Sequence, residues 1–345
     1  MKFLRLLLLS LVIITACGRP AACSRVVYLG DKSYVLVGRT LDWRTPIPTN
    51  IYVYPRGMER TSMPAQPWLK WKSKYASVLA VGYDGGVTEG MNEAGLVMNG
   101  LFCKGTIYKE STGNDKMPVM SLAVLVSYFL DNFSTVDEVE TWLKANEFAI
   151  FGKTFDGGTV STLHWALTDT TGVTLLMEYV DGKLNTYKGR ELRVLTNDPP
   201  LPQMNAIDQY WTQVGGVNML PGTVRSSDRF VRASFFIKHV PTDFDYPQAL
   251  GSLMSIMGTV SVPYGYEIEG EPNVSSTQWT SVADCTGGKY YFKLATSTGA
   301  LWVDMGRLVL TPGAPVLKLD MSKHAQATGC ANNLLEKSAP FTPMW

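Results

Sequence analysis

Histidine is scarce in this chain, whose 345 residues include three, His164, His239 and His324, beside five cysteines. With so few soft ligands, and cysteine spacings that fit neither a zinc site nor a disulfide framework, the sequence calls for no metal. It calls for no cofactor either. The glycine-rich phosphate loops, the Gly-x-Ser-x-Gly elbow of serine hydrolases and the paired-histidine helix of metalloproteases are all absent. Charged residues make up only 18%, with 31 basic against 30 acidic groups. No basic patch supports nucleic-acid binding, and small molecules are the expected partners. Beyond residue 16 no apolar run approaches the length of a membrane span, and neither repeats nor low-complexity segments interrupt the chain.

What is present begins with a leader. Lys2 and Arg5 precede an apolar run from Leu6 to Ile14, broken only by Ser10, and small residues follow, which is the pattern of an export signal. Two cleavage points compete. Ile14-Thr15-Ala16-Cys17 resembles a lipoprotein box and would make Cys17 a lipid anchor, leaving Cys17–Ala22 as a propeptide. Pro20-Ala21-Ala22 offers a cut directly before Cys23, although Pro20 suits that rule poorly. Loss of residues 1–22 removes Lys2, Arg5 and Arg19 and no acid, taking the formal charge from +1 to −2. The expectation is an exported protein, periplasmic or secreted, with residues 1–22 as signal peptide and propeptide and 23–345 as one domain.

The mature part opens with β-branched and aromatic runs. Ser24–Leu29 and Tyr34–Arg39 flank Gly30-Asp31-Lys32-Ser33, which is hairpin chemistry, and 51–55, 77–83 and 96–102 read as further strands. Helical spacing then takes over in 117–133, and Thr135-Val136-Asp137-Glu138 is a capping box that opens a second helix to about Asn146. Strands are expected at 160–167, 173–180, 183–187 and 193–196. Helices follow over 201–213, from a Ser226–Arg229 cap to His239, and over 247–257, before strands at 279–283, 289–295 and 301–304. This order predicts an α+β fold of antiparallel sheets with helices on their outer faces.

Cys23 stands where chemistry is most easily built. A papain-like partnership with His164 lacks the local cysteine signature, and His164 lies in the apolar run Leu163–Leu167, where a satisfied structural histidine is the simpler reading. A cysteine at a new N-terminus needs no histidine: its own α-amine, of pKa about 7.7–8.0, can take the proton of a thiol near 8.5. Arg39 and Asp42, brought back by the hairpin, suit the roles of thiolate-stabilising cation and amine-orienting acid. On the residues alone, a structural ion pair at this turn accounts for them equally well.

Cys23-Ser24-Arg25-Val26-Val27-Tyr28-Leu29, Gly38-Arg39-Thr40-Leu41-Asp42-Trp43, Met91-Asn92-Glu93-Ala94-Gly95-Leu96, Leu195-Thr196-Asn197, and Leu220-Pro221-Gly222-Thr223 with Ser227–Arg232 together resemble the choloylglycine hydrolase family. That family comprises conjugated bile salt hydrolases and penicillin V acylases. The resemblance covers essentially the whole mature chain, and the segments at 229–235 and 261–265 are most similar to its exported Gram-negative branch. It implies the four-layer αββα sandwich of N-terminal nucleophile hydrolases and cleavage of a linear, non-peptide amide through a thioester. Cys23 would attack, Arg39 would stabilise the thiolate and Asp42 would hold the α-amine. Asn197, otherwise readable as a turn residue, would donate to the oxyanion, and Arg229 would balance the pocket's charge. A homotetramer is implied by the resemblance and shown by no residue.

One position departs from many Gram-positive relatives, where the strand after the Asn-Glu-x-Gly-Leu turn carries an asparagine. Phe102 stands here by that register, and a phenyl ring cannot donate a hydrogen bond. The second oxyanion donor is then expected to be a backbone N–H in the register of Asn99 to Cys103, and the pocket gains an aromatic wall. Tyr83 and Met91 are expected to line it with Phe102, and Trp43, Tyr264 and Trp279 are further candidates. This favours a flat or lipid-like acyl group: penicillin V first, a conjugated bile salt second, an N-acyl-homoserine lactone third. The rival from another class is a lipid-anchored binding protein that keeps residues 17–22, because Cys23 would then carry an amide in place of an amine.

Overall fold

Both strands of the first hairpin are rich in β-branched and aromatic residues, and Gly30–Ser33 closes the turn between them. Gly30 N–H donates to Tyr34 O at 2.8 Å, and Ser33, at φ 64°, donates to Gly30 O at 3.1 Å. These strands are β1 (Ala22–Leu29) and β2 (Val35–Trp43). The computed structural model describes residues 22–64, 68–109, 111, 117–152, 154–155, 159–269 and 275–344; residues 1–21, Cys17 among them, lie outside these.

Four strands of the larger sheet follow before the first helices: β3 (Thr49–Tyr54), β4 (Ser77–Gly82), β5 (Gly86–Asn92) and β6 (Val97–Phe102). After α1 (Leu122–Asn132) and α2 (Val136–Ala145) come β7 (Leu163–Thr168), β8 (Thr174–Val180), β9 (Lys183–Gly189) and β10 (Val194–Leu195). Three helices, α3 (Leu201–Val214), α4 (Ser226–His239) and α5 (Tyr246–Val260), lead to β11 (Ser276–Asp284), β12 (Lys289–Leu294) and β13 (Leu301–Asp304). The short strands β14 (Val316–Leu319), β15 (Gly329–Cys330) and β16 (Glu336–Ser338) complete the sheets.

A seven-stranded sheet runs β10-β1-β2-β11-β12-β13-β15 and a nine-stranded one β9-β8-β7-β6-β5-β4-β3-β14-β16. All their pairs are antiparallel except β13 with β15. Val27, Val37 and Leu41 of the first sheet meet Ile51, Val78, Ala80 and Met91 of the second in a buried core between them. On the far side of the larger sheet α1 and α2 bury Leu125, Phe129 and Val139, and on the far side of the smaller one α4 and α5 bury Ala233, Leu253 and Met257. The result is the expected αββα sandwich. Gly38 is required where β2 meets α5, because a Cβ there would lie 2.9 Å from Met257 Cγ.

The outline differs from the sequence reading at a few points, each with a local cause. The helix expected from 117 starts at Leu122, since 119–121 pairs with 149–151 and Ser121 accepts from Ala123 N–H at 3.2 Å as the N-cap. Ser226 does not cap α4: its hydroxyl is committed to Thr196 and Asn197. β5 was not anticipated, and neither was its place in the middle of a sheet. Of the possible disulfides none forms among the described residues, where Cys23, Cys103, Cys285 and Cys330 are all free thiols.

The Asn92–Gly95 turn ties the sheets together. Asn92 Oδ1 accepts from Ala94 and Leu96 N–H at 3.1 and 3.0 Å, its Nδ2 donates to Leu130 and Phe133 carbonyls, and Gly95 sits at φ 86° against the end of β11. A Cβ on Gly95 would overlap the Cys285 carbonyl oxygen. Gly95→Ala is therefore expected to lose more than about 3 kcal/mol, the left-handed backbone alone accounting for about 1–3. Urea unfolding measures it; a loss below about 1 kcal/mol would show that the turn does not depend on this contact.

Candidate active site

Strand alternation divides the chemistry between two faces. Cys23 lies opposite Leu41 and Arg25 opposite Arg39, so Cys23, Arg25 and Arg39 share the face turned towards the larger sheet. Ser24, Thr40 and Asp42, one residue out of step, face the helix layer that carries Arg229 of α4. Every one of these side chains is buried.

On the inner face Arg39 Nη2 lies 3.8 Å from Cys23 Sγ and donates to Gly100 O at 3.0 Å. Its Nη1 stands 3.4 Å from Glu89 Oε2, and the guanidinium covers Trp279 with its carbon 4.6 Å from the ring centroid. Glu89, 1% exposed, is the hub: it accepts from Ser281 and Tyr290 hydroxyls and, at 3.0 Å, from Asn99 Nδ2. Asn99 Oδ1 in turn accepts from Arg25 Nε at 2.7 Å. Burial pulls the Arg25 guanidinium down to about 10, which leaves it cationic at neutral pH. Two cations across a strand pair thus share one carboxylate, and the surplus positive charge faces the thiol.

On the outer face Cys23 N donates to Asn197 Oδ1 at 2.7 Å, and Arg229 Nη2 donates to the same oxygen at 2.7 Å. Two donors on Oδ1 fix the amide's orientation. Asn197 Nδ2 donates to Phe102 O at 2.7 Å and keeps its second hydrogen for another acceptor. Arg229 Nη1 also donates to Cys23 O and Ser24 Oγ, both at 2.6 Å, and burial lowers the guanidinium from its ordinary range. Asp42 accepts from Thr277 Oγ1 at 2.7 Å and Thr40 Oγ1 at 3.4 Å. Burial raises its carboxyl to about 6, against the pull of Arg229, Thr277, Arg39 and Thr40. Ala22 extends β1 opposite Asp42, and the acceptor at Cys23 N is Asn197 Oδ1 in place of the expected Asp42 carboxyl.

An apolar cavity of about 150 Å³ opens at the thiol, walled by Trp43, Tyr83, Val87, Phe102, Leu122 and Leu163 among others. Trp43 and Phe102 meet edge to face at 5.6 Å. Of the expected wall residues, Phe102, Tyr83 and Trp43 are in place. Met91 is not: it points into the core between the sheets, on the same face of β5 as Glu89. Trp279 is buried under Arg39, and Tyr264 is exposed and outside the lining. Cys103 N–H, one of the expected oxyanion amides, is committed to Thr162 O at 2.9 Å. His164 is buried, with ring nitrogens 3.0 Å from Glu178 Oε1 and 2.8 Å from Thr196 O, so it has no free nitrogen with which to serve Cys23 as a base.

Glu89 is the functional neighbour that sequence reasoning missed. Its signal was there to use, because an acid two residues before Met91 falls on a buried face, where it must have a cationic or hydrogen-bonded partner. Met344, which also lines the cavity and donates its N–H to Gly85 O at 2.8 Å, carried no such signal.

A sandwich of two antiparallel sheets between helix layers, with the head of its first hairpin strand at the floor of the cavity, is the fold of the N-terminal nucleophile hydrolases. Residues 23–322 match the linear amide C–N hydrolases of the choloylglycine hydrolase family, and the chain belongs to that family. A penicillin V acylase of Pectobacterium atrosepticum is 35% identical, the alignment covering 96% of this chain and 95% of the relative. A bile salt hydrolase/transferase of Clostridium perfringens is 28% identical over 79% of this chain and 89% of its own. Among solved structures, the penicillin V acylase of Agrobacterium tumefaciens superposes with a TM-score of 0.86 at 41% identity, covering 93% of this chain and 99% of that one. The chain is accordingly a hydrolase of carbon–nitrogen bonds in linear amides.

Glu89→Gln should cost about 3–5 kcal/mol, because two buried arginines lose their shared counter-charge. Denaturant unfolding reads this directly, and a change under about 1 kcal/mol would show that Glu89 is not the electrostatic hub.

Proposed function

We propose that the mature enzyme begins at Cys23 and is a penicillin V acylase-like amidase with that cysteine as nucleophile. The α-amine of Cys23 takes the thiol proton, and the sulfur, facing Arg39, attacks the amide carbon. Negative charge on the carbonyl oxygen is met by the second Nδ2 hydrogen of Asn197 and by a backbone N–H of the Phe102 strand. Collapse expels the amine, which leaves with the proton held by the α-ammonium, and a thioester remains on Cys23. Water, deprotonated by the same α-amine, then hydrolyses it to the free acid. Asp42 holds the amine, Arg229 anchors Cys23 O and Asn197 Oδ1 and supports the charge balance of the pocket, and the reading calls for no cofactor or metal.

The observation that carries the substrate assignment is the cavity. At about 150 Å³, with Trp43, Tyr83 and Phe102 in its wall, it matches the size of space that accepts a single benzene ring. A phenoxyacetyl group suits it, whereas a steroid nucleus needs it to widen. The two penicillin V acylase relatives support the same choice, ahead of a conjugated bile salt or an acyl-homoserine lactone. The reading also makes the protein exported, of the Gram-negative branch, and freed of residues 1–22. The family match beginning at Cys23 supports that processing point. Periplasmic placement, lipid attachment at Cys17 before final trimming, and a homotetramer belong to the same proposal and follow from the leader and the resemblance.

Parallel assays of the mature chain with penicillin V, a glycine-conjugated bile salt and a long-chain acyl-homoserine lactone should give the largest kcat/KM with penicillin V; a preference for the bile salt would contradict the cavity argument. Cys23→Ala and Cys23→Ser should both lose acyl transfer, and full activity in the alanine variant would remove the mechanism.

A further inference from the structure

The segment that carries Asn197 is held at both ends by one buried pair, and we infer that His164 and Glu178 act together as positioning residues for the oxyanion donor. This deepens the reading of Asn197 given above and rests on it. The two residues lie one step beyond the Trp165–Met177 pair of the β7–β8 ladder, and both are essentially inaccessible to solvent. His164 Nε2 lies 2.8 Å from Thr196 O, the carbonyl immediately before Asn197, and its Nδ1 lies 3.0 Å from Glu178 Oε1. Thr196 O can only accept, so Nε2 carries hydrogen, and with Glu178 as a carboxylate Nδ1 carries the other, which makes the ring an imidazolium. The other Glu178 oxygen, Oε2, accepts from Leu201 N–H at 3.1 Å, at the start of α3. One ion pair therefore fixes the carbonyl at 196 and the amide at 201, and Asn197 to Pro200 hang between them.

The Asn197 side chain is held directly by Cys23 N, Arg229 and Phe102 O, so the bracket acts on the backbone that carries it. Ser226 Oγ receives Asn197 N–H at 2.9 Å and meets Thr196 Oγ1 at 2.9 Å, which ties the near end to α4 and does not reach the far end. Lys104 N–H reaches Asp198 Oδ1 only at 3.4 Å. α3 has no side-chain cap at its N-cap residue, Pro200, so Glu178 supplies from another strand an acceptor for the helix's first N–H. A negative charge there also meets the positive end of the helix dipole. Burial works against a charged ring, but the hydrogen bonds with Cys103 and Glu178 outweigh it and bring His164 up to about 10. The direction of that shift agrees with the two-donor geometry.

Such a bracket matters to rate because an oxyanion donor acts through its placement, and an error of a few tenths of an ångström falls on the transition state more than on the bound substrate. His164→Gln keeps a donor for one of the two acceptors and loses the other. We expect it to lower kcat about tenfold with KM changed less than twofold, and Asn197→Ala to lower kcat about 10²–10³-fold. The deciding measurement is the double variant His164→Gln/Asn197→Ala. If the histidine acts through Asn197, the double variant falls no further than Asn197→Ala alone, within about twofold. Multiplication of the two losses, or an unchanged kcat in His164→Gln, overturns the bracket while leaving Asn197 as the oxyanion donor; an unchanged kcat in Asn197→Ala overturns both. Nitrogen-15 spectra of the unmodified enzyme need no variant to fold: His164 is expected to show two protonated ring nitrogens at neutral pH, and a neutral tautomer would refute the arrangement.

Discussion

The pairing of β1 with β2 is the constraint from which the rest of the site follows. Both faces of these strands are buried, Val27, Val37 and Leu41 against the larger sheet and Val26, Tyr28 and Leu36 against the helices, so apolar alternation does not by itself choose a register. Polar side chains and one glycine choose it. Arg25 and Arg39 need Asn99 and Glu89 on the opposing sheet, and Gly38 needs to stand where Met257 presses on the strand. A slip of one residue would turn the arginines towards the helices and put a side chain under Met257. It would also carry Cys23 away from Arg39.

That register keeps the two halves of the reaction apart. The sulfur faces Arg39 and the apolar cavity, while the backbone nitrogen of the same residue meets Asn197 Oδ1 and its carbonyl meets Arg229. The outer group is a network in which Asn197 Oδ1 accepts from both Cys23 N and Arg229, and Ser226 and the His164–Glu178 pair hold its backbone. The inner group is simpler, a cation pair balanced by one acid.

How much of this was legible from the residues alone varies with the kind of interaction. Local signals read well: the hairpin at Gly30–Ser33, the capping box at Thr135 to Glu138 and the strand periods all have their causes within a few residues. Cys23, Arg39, Asp42, Asn197 and Arg229 were nameable from motifs, and the structure gathers them around one strand head. Illegible were the contacts made over long separations. Glu89 lies 192 residues from Ser281 and 201 from Tyr290, and nothing near it announces either partner. Met91 was misjudged because a methionine in a strand suits a pocket wall and a core equally; its face was set by the register of β5, a strand the sequence pattern did not mark. Ser226 was read as a cap on local grounds and is instead committed to the Asn197 segment, again a distant partner.

The central claim is that the base is created by the cut before Cys23, because the residue's own amine takes the thiol proton. Two otherwise identical chains test it, one starting at Cys23 and one retaining Ala22, each checked by intact mass before and after assay. Both keep the thiol, Arg39 and the cavity, and they differ in whether residue 23 carries an amine or an amide. The account predicts full acylase activity, with a thioester trapped on residue 23, in the first chain, and loss of turnover in the second for as long as Ala22 remains. Equal turnover by a chain whose mass shows Ala22 still attached would contradict it.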